Sequence, residues 1–127
     1  MASCIKSLTF EVQAGETLEQ EFQIFQSDGT TPQPITAGSV IHFIVKTSAN
    51  ASDVIILKTS ALASEVEILN SGTDGKFKVK LGSADTFSLD AKDYKYAVWQ
   101  ELSGAWTPLL TEPEIFRVHN GMRPPSP

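Results

Sequence analysis

Hydrophobic and polar residues alternate most strictly between Glu65 and Leu81. Lysines occupy every even position from 76 to 80, and phenylalanine, valine and leucine occupy the odd positions between them and at 81. A period of two places the polar side chains on one face of a strand and the apolar ones on the other. Because residues 70–75 are Asn-Ser-Gly-Thr-Asp-Gly, rich in turn-forming types, the segment is predicted to be a β-hairpin. The predicted cross-strand pairs are Glu65 with Lys80, Glu67 with Lys78, Val66 with Val79 and Ile68 with Phe77.

The same pattern recurs along the chain, at intervals of roughly ten residues and with turn residues between the runs. It predicts further strands at residues 8–12, 17–26, 40–46, 54–58, 94–101, 105–110 and 114–119, and one helical turn near 83–86. Short strands without a long helix are typical of an all-β, antiparallel two-sheet sandwich. We expect about seven to nine strands in one domain spanning residues 1–121. The predicted core contains Phe22, Ile24, Phe43, Val66, Ile68, Phe77, Val79, Tyr96 and Val98.

The segment from Tyr94 to Thr111 is predicted to be a second hairpin, reversing at Ser103-Gly104, with apolar residues on both faces. Pairing its strands places Val98 opposite Leu109 on the core side. The outer face then needs a cover, which is either the loop 30–37 or another subunit. We favour the subunit, because tryptophans are frequent anchors of protein interfaces. The outer-face pairs are Ala97 with Leu110, Trp99 with Pro108 and Trp106 with Glu101, which makes Trp99, Trp106 and Leu110 the candidate interface residues.

Composition narrows the class of protein. A length of 127 residues with 41% hydrophobic residues suits one packed domain, and a formal net charge of −5 gives no nucleic-acid footprint. No apolar run reaches the roughly 20 residues of a transmembrane helix, and the amino terminus does not resemble a secretory signal. A single cysteine precludes an internal disulfide and fits synthesis in a reducing compartment.

Residues that could carry chemistry are few and scattered. Cys4, His42 and His119 are the candidate metal ligands, and Cys4 with either histidine is a possible nucleophilic pair. Cys4 is expected in a frayed terminus, where such geometry is hard to hold. Glu19 and Glu21 share a strand face and could serve glycoside hydrolysis, but solvated glutamates are the simpler interpretation. We therefore expect no catalytic residue, no bound metal and no cofactor.

Four segments resemble a known family. Their order along the chain is similar to that in the immunoglobulin-like β-sandwich domains of tailed-phage virion proteins. The segments are Ile41–Lys46, Gly75–Leu81, Asp93–Val98 and Ile115–Val118. The chain resembles in particular the N-terminal domain of baseplate upper proteins, and the resemblance covers roughly residues 16–119. The resemblance implies an immunoglobulin-like sandwich with a structural role in the virion. The resemblance does not specify whether the domain belongs to the tail, the baseplate, the neck or the capsid decoration of the virion. Tyr94 also resembles the tyrosine corner of immunoglobulin domains.

Two functions remain after this reading. The first is a virion docking module that binds other virion proteins in a homo- or hetero-oligomeric assembly, without nucleic acid or membrane. The second is a carbohydrate-binding sandwich that stacks sugars on Trp99, Trp106, Tyr94 or Tyr96. Residues 122–127 form an extended proline-rich tail. Under the first function Pro124 and Pro125 of this tail lie along a neighbouring subunit, and a free end is the alternative.

Overall fold

The structure is a computed structural model that describes residues 4–6, 9–48, 52–110 and 112–119. Ten strands lie in these residues, together with a 3₁₀ turn at Asn70–Gly72 and one helical turn, α1, at Ser83–Thr86. The strands are β1 (Cys4–Ile5), β2 (Phe10–Gln13), β3 (Leu18–Phe25), β4 (Val40–Lys46), β5 (Ile56–Thr59), β6 (Val66–Ile68), β7 (Lys76–Leu81), β8 (Asp93–Leu102), β9 (Ala105–Pro108) and β10 (Glu114–His119).

The strands form two sheets packed face to face, which confirms the predicted all-β sandwich. The smaller sheet has the order β1-β3-β7-β6, and the larger has the order β2-β10-β8-β4-β5 with β9 beside β8. β9 and β10 pair with different halves of β8. Between described strands the pairing is antiparallel, with the exception of β2 and β10, which run parallel. The sequence pattern did not predict this parallel pair.

The register of the 65–81 hairpin is confirmed. Val66 lies opposite Val79, Glu67 opposite Lys78 and Ile68 opposite Phe77. The backbone N–H of Lys80 donates to the carbonyl oxygen of Glu65 at 2.8 Å. The alternation of apolar and charged residues, together with the turn residues at 70–75, therefore determined which residues pair in this hairpin.

The core lies between the two sheets and is rich in aromatic rings. Eight of the nine predicted core residues are buried, and the ninth, Ile68, is partly buried against them. Phe10 lies at the centre of the aromatic group, with ring centroids 5.1 Å from Phe116 and 5.6 Å from Phe43. Phe22 stacks on Phe77 across the β3–β7 pair at 5.4 Å. These contacts join both sheets into one core.

The frayed terminus expected at Cys4 is corrected by the structure. Cys4 lies in β1, opposite Phe25 of β3, and the next residue, Ile5, is 4% exposed. The N–H of Ile5 also donates to the carbonyl of Leu109 at 2.9 Å. A two-residue strand is too short to show a period of two, so its burial could not be seen in the sequence pattern.

Tyr94 fixes the loop that precedes β8. Its hydroxyl donates to the backbone carbonyl of Asp90, four residues upstream, at 3.1 Å. Burial raises the pKa of the Tyr94 phenol above its ordinary value. This hydrogen bond holds the backbone at Asp90 against the start of β8.

Candidate docking surface on the larger sheet

The outer face of the larger sheet carries an aromatic and aliphatic surface. Phe43 and Val45 of β4 are 0% exposed and point to the core, so the side chains at 42 and 44 point outward. Ile44 lies opposite Leu57 of β5 on one side and Ala97 of β8 on the other. We call this surface the tryptophan face; it consists of His42, Ile44, Leu57, Ala97, Trp99 and Trp106.

The hairpin formed by β8 and β9 supplies the tryptophans, in the register that the sequence predicts. Trp99 lies opposite Pro108, and Glu101 lies opposite Trp106, across a turn at 103–104. The two indole rings are diagonal neighbours with centroids 6.4 Å apart and an interplanar angle of 70°. The edge-to-face arrangement is one that aromatic pairs prefer.

A histidine from the neighbouring strand completes this cluster. The His42 ring stacks on Trp106 with centroids 4.5 Å apart and an angle of 23°. His42 Nε2 also lies 2.9 Å from Glu101 Oε1. This stack follows from the pairing of β4 with β8, which places His42 opposite Trp99. No local pattern in the sequence predicts this stack, because strands so distant along the chain can pair in many registers.

Large apolar side chains on this face are exposed to solvent. Trp106 is 50% exposed and Leu57 is 54% exposed. Isolated exposed apolar residues are common on soluble proteins, whereas large exposed apolar patches are typical of interaction surfaces.

A groove crosses the tryptophan face beside Trp99. Ile44 and Ala97 line it, Pro113 closes one side, and Lys46 and Lys95 also line it. It encloses an empty volume of about 480 Å³ that is open to solvent. The groove lies beside Ala97, between the residues of β8 that pair with β9 (99–102) and those that pair with β10 (93–96).

The outward position expected for Leu110 is wrong. Leu110 is 7% exposed and Leu109 is 1% exposed, and both belong to the core. β9 ends at Pro108, so the strict alternation that would have turned Leu110 outward ends there too. Of the predicted interface residues, Trp99 and Trp106 lie together on the outer face. Pro124 and Pro125 fall outside the described residues, as does the whole tail.

The loop 30–37 lies elsewhere and does not cover the tryptophans. Its Gln33 N–H donates to Ile24 and its Ile35 N–H donates to Gly72, both in the smaller sheet or its turn. Gln33 also lines a depression with Gln100 and Thr107, a cross-strand pair of the hairpin. That pair has the opposite parity to Trp99 and therefore points to the other face.

The other candidate chemical groups are not brought together. His42 contacts Glu101, His119 Nε2 lies 2.8 Å from Glu11, and Cys4 lies in the smaller sheet. In the part of the chain that the structure describes, no group of three or more His, Cys, Asp or Glu residues is placed to hold a metal ion. Nor does any helix in these residues have the length and hydropathy to cross a membrane.

The glutamates considered for glycoside hydrolysis are part of an ion-paired surface. The outer face of the smaller sheet carries the three lysines of β7, and glutamates of the neighbouring strands lie on both sides. The salt-bridge distances are 4.0 Å for Lys76 with Glu21, 3.3 Å for Lys78 with Glu19 and 2.9 Å for Lys80 with Glu67. The hydrogen bond from Lys80 lowers the pKa of Glu67. The glutamates therefore neutralise the positive charge of the three lysines of β7.

Comparison with known proteins defines the fold alone. No protein-family model matches the chain, and no curated protein sequence matches it significantly. Solved structures do include similar folds. One is the endo-β-1,4-mannanase from Thermotoga petrophila, with a TM-score of 0.50 and 12% sequence identity. The match covers 94% of this chain and 20% of the mannanase chain, so the chain spans only a small part of that enzyme's length.

Proposed function

We propose that this protein is a non-catalytic structural module of a tailed-phage virion, which docks onto neighbouring virion subunits through the tryptophan face. The observation that carries the docking role is that exposed Trp106 and Leu57 and partly exposed Trp99 lie on one side of the larger sheet. Tryptophan is strongly enriched among the residues that dominate binding energy at protein interfaces. The virion location rests on the resemblance to phage sandwich domains.

The location is tested on particles of the phage or prophage that encodes the chain. Gradient-purified particles are analysed by quantitative mass spectrometry, and an antibody against the chain is used for immunogold labelling. We expect the chain to copurify with the particles at a fixed copy number and to label one part of them. A chain that stays in the soluble fraction, absent from particles of full infectivity, would contradict the virion role.

The docking surface is tested by changing both tryptophans, Trp99→Ser and Trp106→Ser. We expect the isolated domain to stay folded and its incorporation into particles to fall. Phe25→Ser is the matched control, since Phe25 is a partly exposed aromatic residue of the smaller sheet. If the tryptophan variant folds and is incorporated like the wild type, the interface lies elsewhere.

Carbohydrate binding is the second candidate. It is supported by the half-exposed indole of Trp106 beside the polar groups of His42 and Glu101. Sugars bind to aromatic faces that have such hydrogen-bonding groups next to them. The chain has two tryptophans, both on this face, so their fluorescence reports on it directly. A saturable change with neutral hexasaccharides of glucose, mannose or N-acetylglucosamine would favour this candidate.

A further inference from the structure

Two lysines of the groove lie side by side on the outer face. Lys46 of β4 is the cross-strand partner of Lys95 of β8, and both line the groove next to Trp99. Side chains directly opposite in an antiparallel pair have Cβ atoms about 5 Å apart, and like charges in this position destabilise the sheet. The fold therefore tolerates a local repulsion at the groove.

Neither of these lysines has a carboxylate partner within 4.0 Å among the residues that the structure describes. Asp93 shares their face, but its carboxylate is bound by the Arg117 guanidinium at 2.8 Å. That hydrogen bond is the main cause that lowers the pKa of Asp93. Each lysine of the smaller sheet, in contrast, has a glutamate within 4.0 Å. Two neighbouring lysines without an ion pair within 4.0 Å are thus a local feature of a chain whose net charge is −5.

The rest of the groove is apolar. Ile44, Ala97 and Trp99 contribute aliphatic and aromatic surface, and Ser48 is the small polar residue at its rim. Carboxylate and amide side chains, which orient the hydroxyl groups of a sugar, do not line it in the described residues. A ligand that matches this groove carries an apolar group for Ile44 and Trp99 and negative charge for the two lysines.

We infer that the groove between Lys46, Lys95 and Trp99 binds an acidic peptide segment of the neighbouring subunit, with an apolar side chain in the groove and carboxylates on the lysines. This inference rests on the proposed docking function and specifies the chemistry of the partner. Charge complementarity selects the acidic partner over a second copy of the ion-paired lysine surface, where no net positive or negative charge is presented.

The first experiment uses the fluorescence of the two tryptophans and short probes. The probes are a capped hexapeptide in which glutamate alternates with leucine, the same peptide with glutamine in place of glutamate, and hexagalacturonate. We expect a saturable change with the glutamate peptide, weaker binding of the glutamine peptide by about fivefold or more, and further weakening in about 0.5 M salt. Equal binding of both peptides, or no binding of the glutamate peptide, overturns the inference.

Hexagalacturonate separates an acidic peptide from an acidic glycan. It carries the negative charge on sugar rings, so binding of hexagalacturonate without binding of the glutamate peptide also overturns the inference. That result would move the site to the carbohydrate candidate.

Variants of the lysines supply the second experiment. Lys46→Gln with Lys95→Gln is expected to weaken binding of the glutamate peptide about five- to tenfold. Lys76→Gln with Lys78→Gln removes the same charge from the other sheet and is expected to leave binding unchanged. Both double variants are checked for unchanged thermal unfolding and circular dichroism. An equal loss in the two double variants would show a general charge effect and overturn the inference.

The same variants distinguish this inference from the proposed function. If incorporation into particles is lost with Trp99→Ser and Trp106→Ser but kept with Lys46→Gln and Lys95→Gln, the docking face stands and the acidic partner is wrong. If neither pair affects incorporation, the proposed docking surface itself is wrong.

Discussion

At the scale of the residue, stability is concentrated in the aromatic rings between the sheets. Phe43 and Phe77 are both 0% exposed, and their rings contact other aromatic rings of the core. Each ring is surrounded by β-sheet on two sides, so the space that it leaves cannot collapse easily. The cost of truncation therefore includes a cavity as well as the lost transfer free energy.

We expect Phe43→Ala or Phe77→Ala to lower the free energy of unfolding by about 3–5 kcal/mol. Phe25→Ala is the control, because Phe25 is partly exposed on the outer face of β3; it should cost less than about 1.5 kcal/mol. Urea denaturation followed by circular dichroism measures the difference. A loss well under 3 kcal/mol at either core position would contradict the packing assigned to it.

Gly75 is required both by its backbone angle and by its surroundings. It has a φ of +73°, and a Cβ there would collide with the carbonyl oxygen of Gln33 and lie 2.8 Å from that of Ile24. Gly29 has a similar φ of +76° but open space around the same position. Comparing a substitution at Gly29 with one at Gly75 therefore distinguishes the cost of backbone strain from the cost of a steric clash.

Gly29→Ala is expected to cost about 1 kcal/mol, the strain of a left-handed backbone. Gly75→Ala should cost clearly more, because it also forces the 33–35 loop away from β3. Equilibrium unfolding of both variants tests this difference. Equal losses would mean that the loop moves aside without cost.

At the scale of the element, the turn between β8 and β9 sets the geometry of the tryptophan face. Ser103 and Gly104 have φ values of +52° and +83°, and they are the two residues between the paired Leu102 and Ala105. Two-residue hairpin turns with positive φ at both positions favour asparagine followed by glycine. Serine at the first position is therefore suboptimal.

We expect Ser103→Asn to stabilise the protein, by up to about 1 kcal/mol. Ser103→Val should destabilise it, since a β-branched residue adopts positive φ poorly. The midpoint of thermal unfolding measures both changes. Should the asparagine variant unfold earlier than the wild type, the turn would not have the geometry described here.

At the scale of the whole molecule, the amino-terminal strands join the two sheets. β1 lies in the smaller sheet and β2 in the larger, so the chain changes sheet between Ile5 and Phe10. Phe10 then contributes the ring at the centre of the aromatic group, and β2 pairs in parallel with β10. The pair covers an edge of β10 that would otherwise be unpaired.

A chain that begins at Ala14 is expected to lose its cooperative fold. It lacks the Phe10 ring and both strands, and it exposes Phe116, which is 0% exposed in the structure. Phe10→Leu is the control, which keeps the strands and most of the buried volume and should stay folded. Near-ultraviolet circular dichroism and the dispersion of amide resonances report the result. A well-dispersed spectrum for the shortened chain would contradict this role.

The two local hairpins and the buried faces of their strands could be predicted from the order of residues along the chain. Alternation fixed which side of β4, β7 and β8 is buried, and turn residues at 70–75 and 103–104 fixed the registers of the two hairpins. It also brought Trp99 and Trp106 together, because both lie in one hairpin. Both predictions depend on local signals, since the alternation of a strand and the residue types of a turn each appear in consecutive residues.

The pairing of strands that are distant along the chain could not be predicted in this way and is seen in the folded molecule alone. The pairing of β4 with β8 placed Lys46 opposite Lys95 and His42 under Trp106, and β2 joined β10 across most of the chain. Leu110 turned inward where β9 ended, against the expectation from strict alternation. Which distant strands pair depends on how whole faces of the sheets pack against one another. A short segment of sequence does not contain the information that determines this packing.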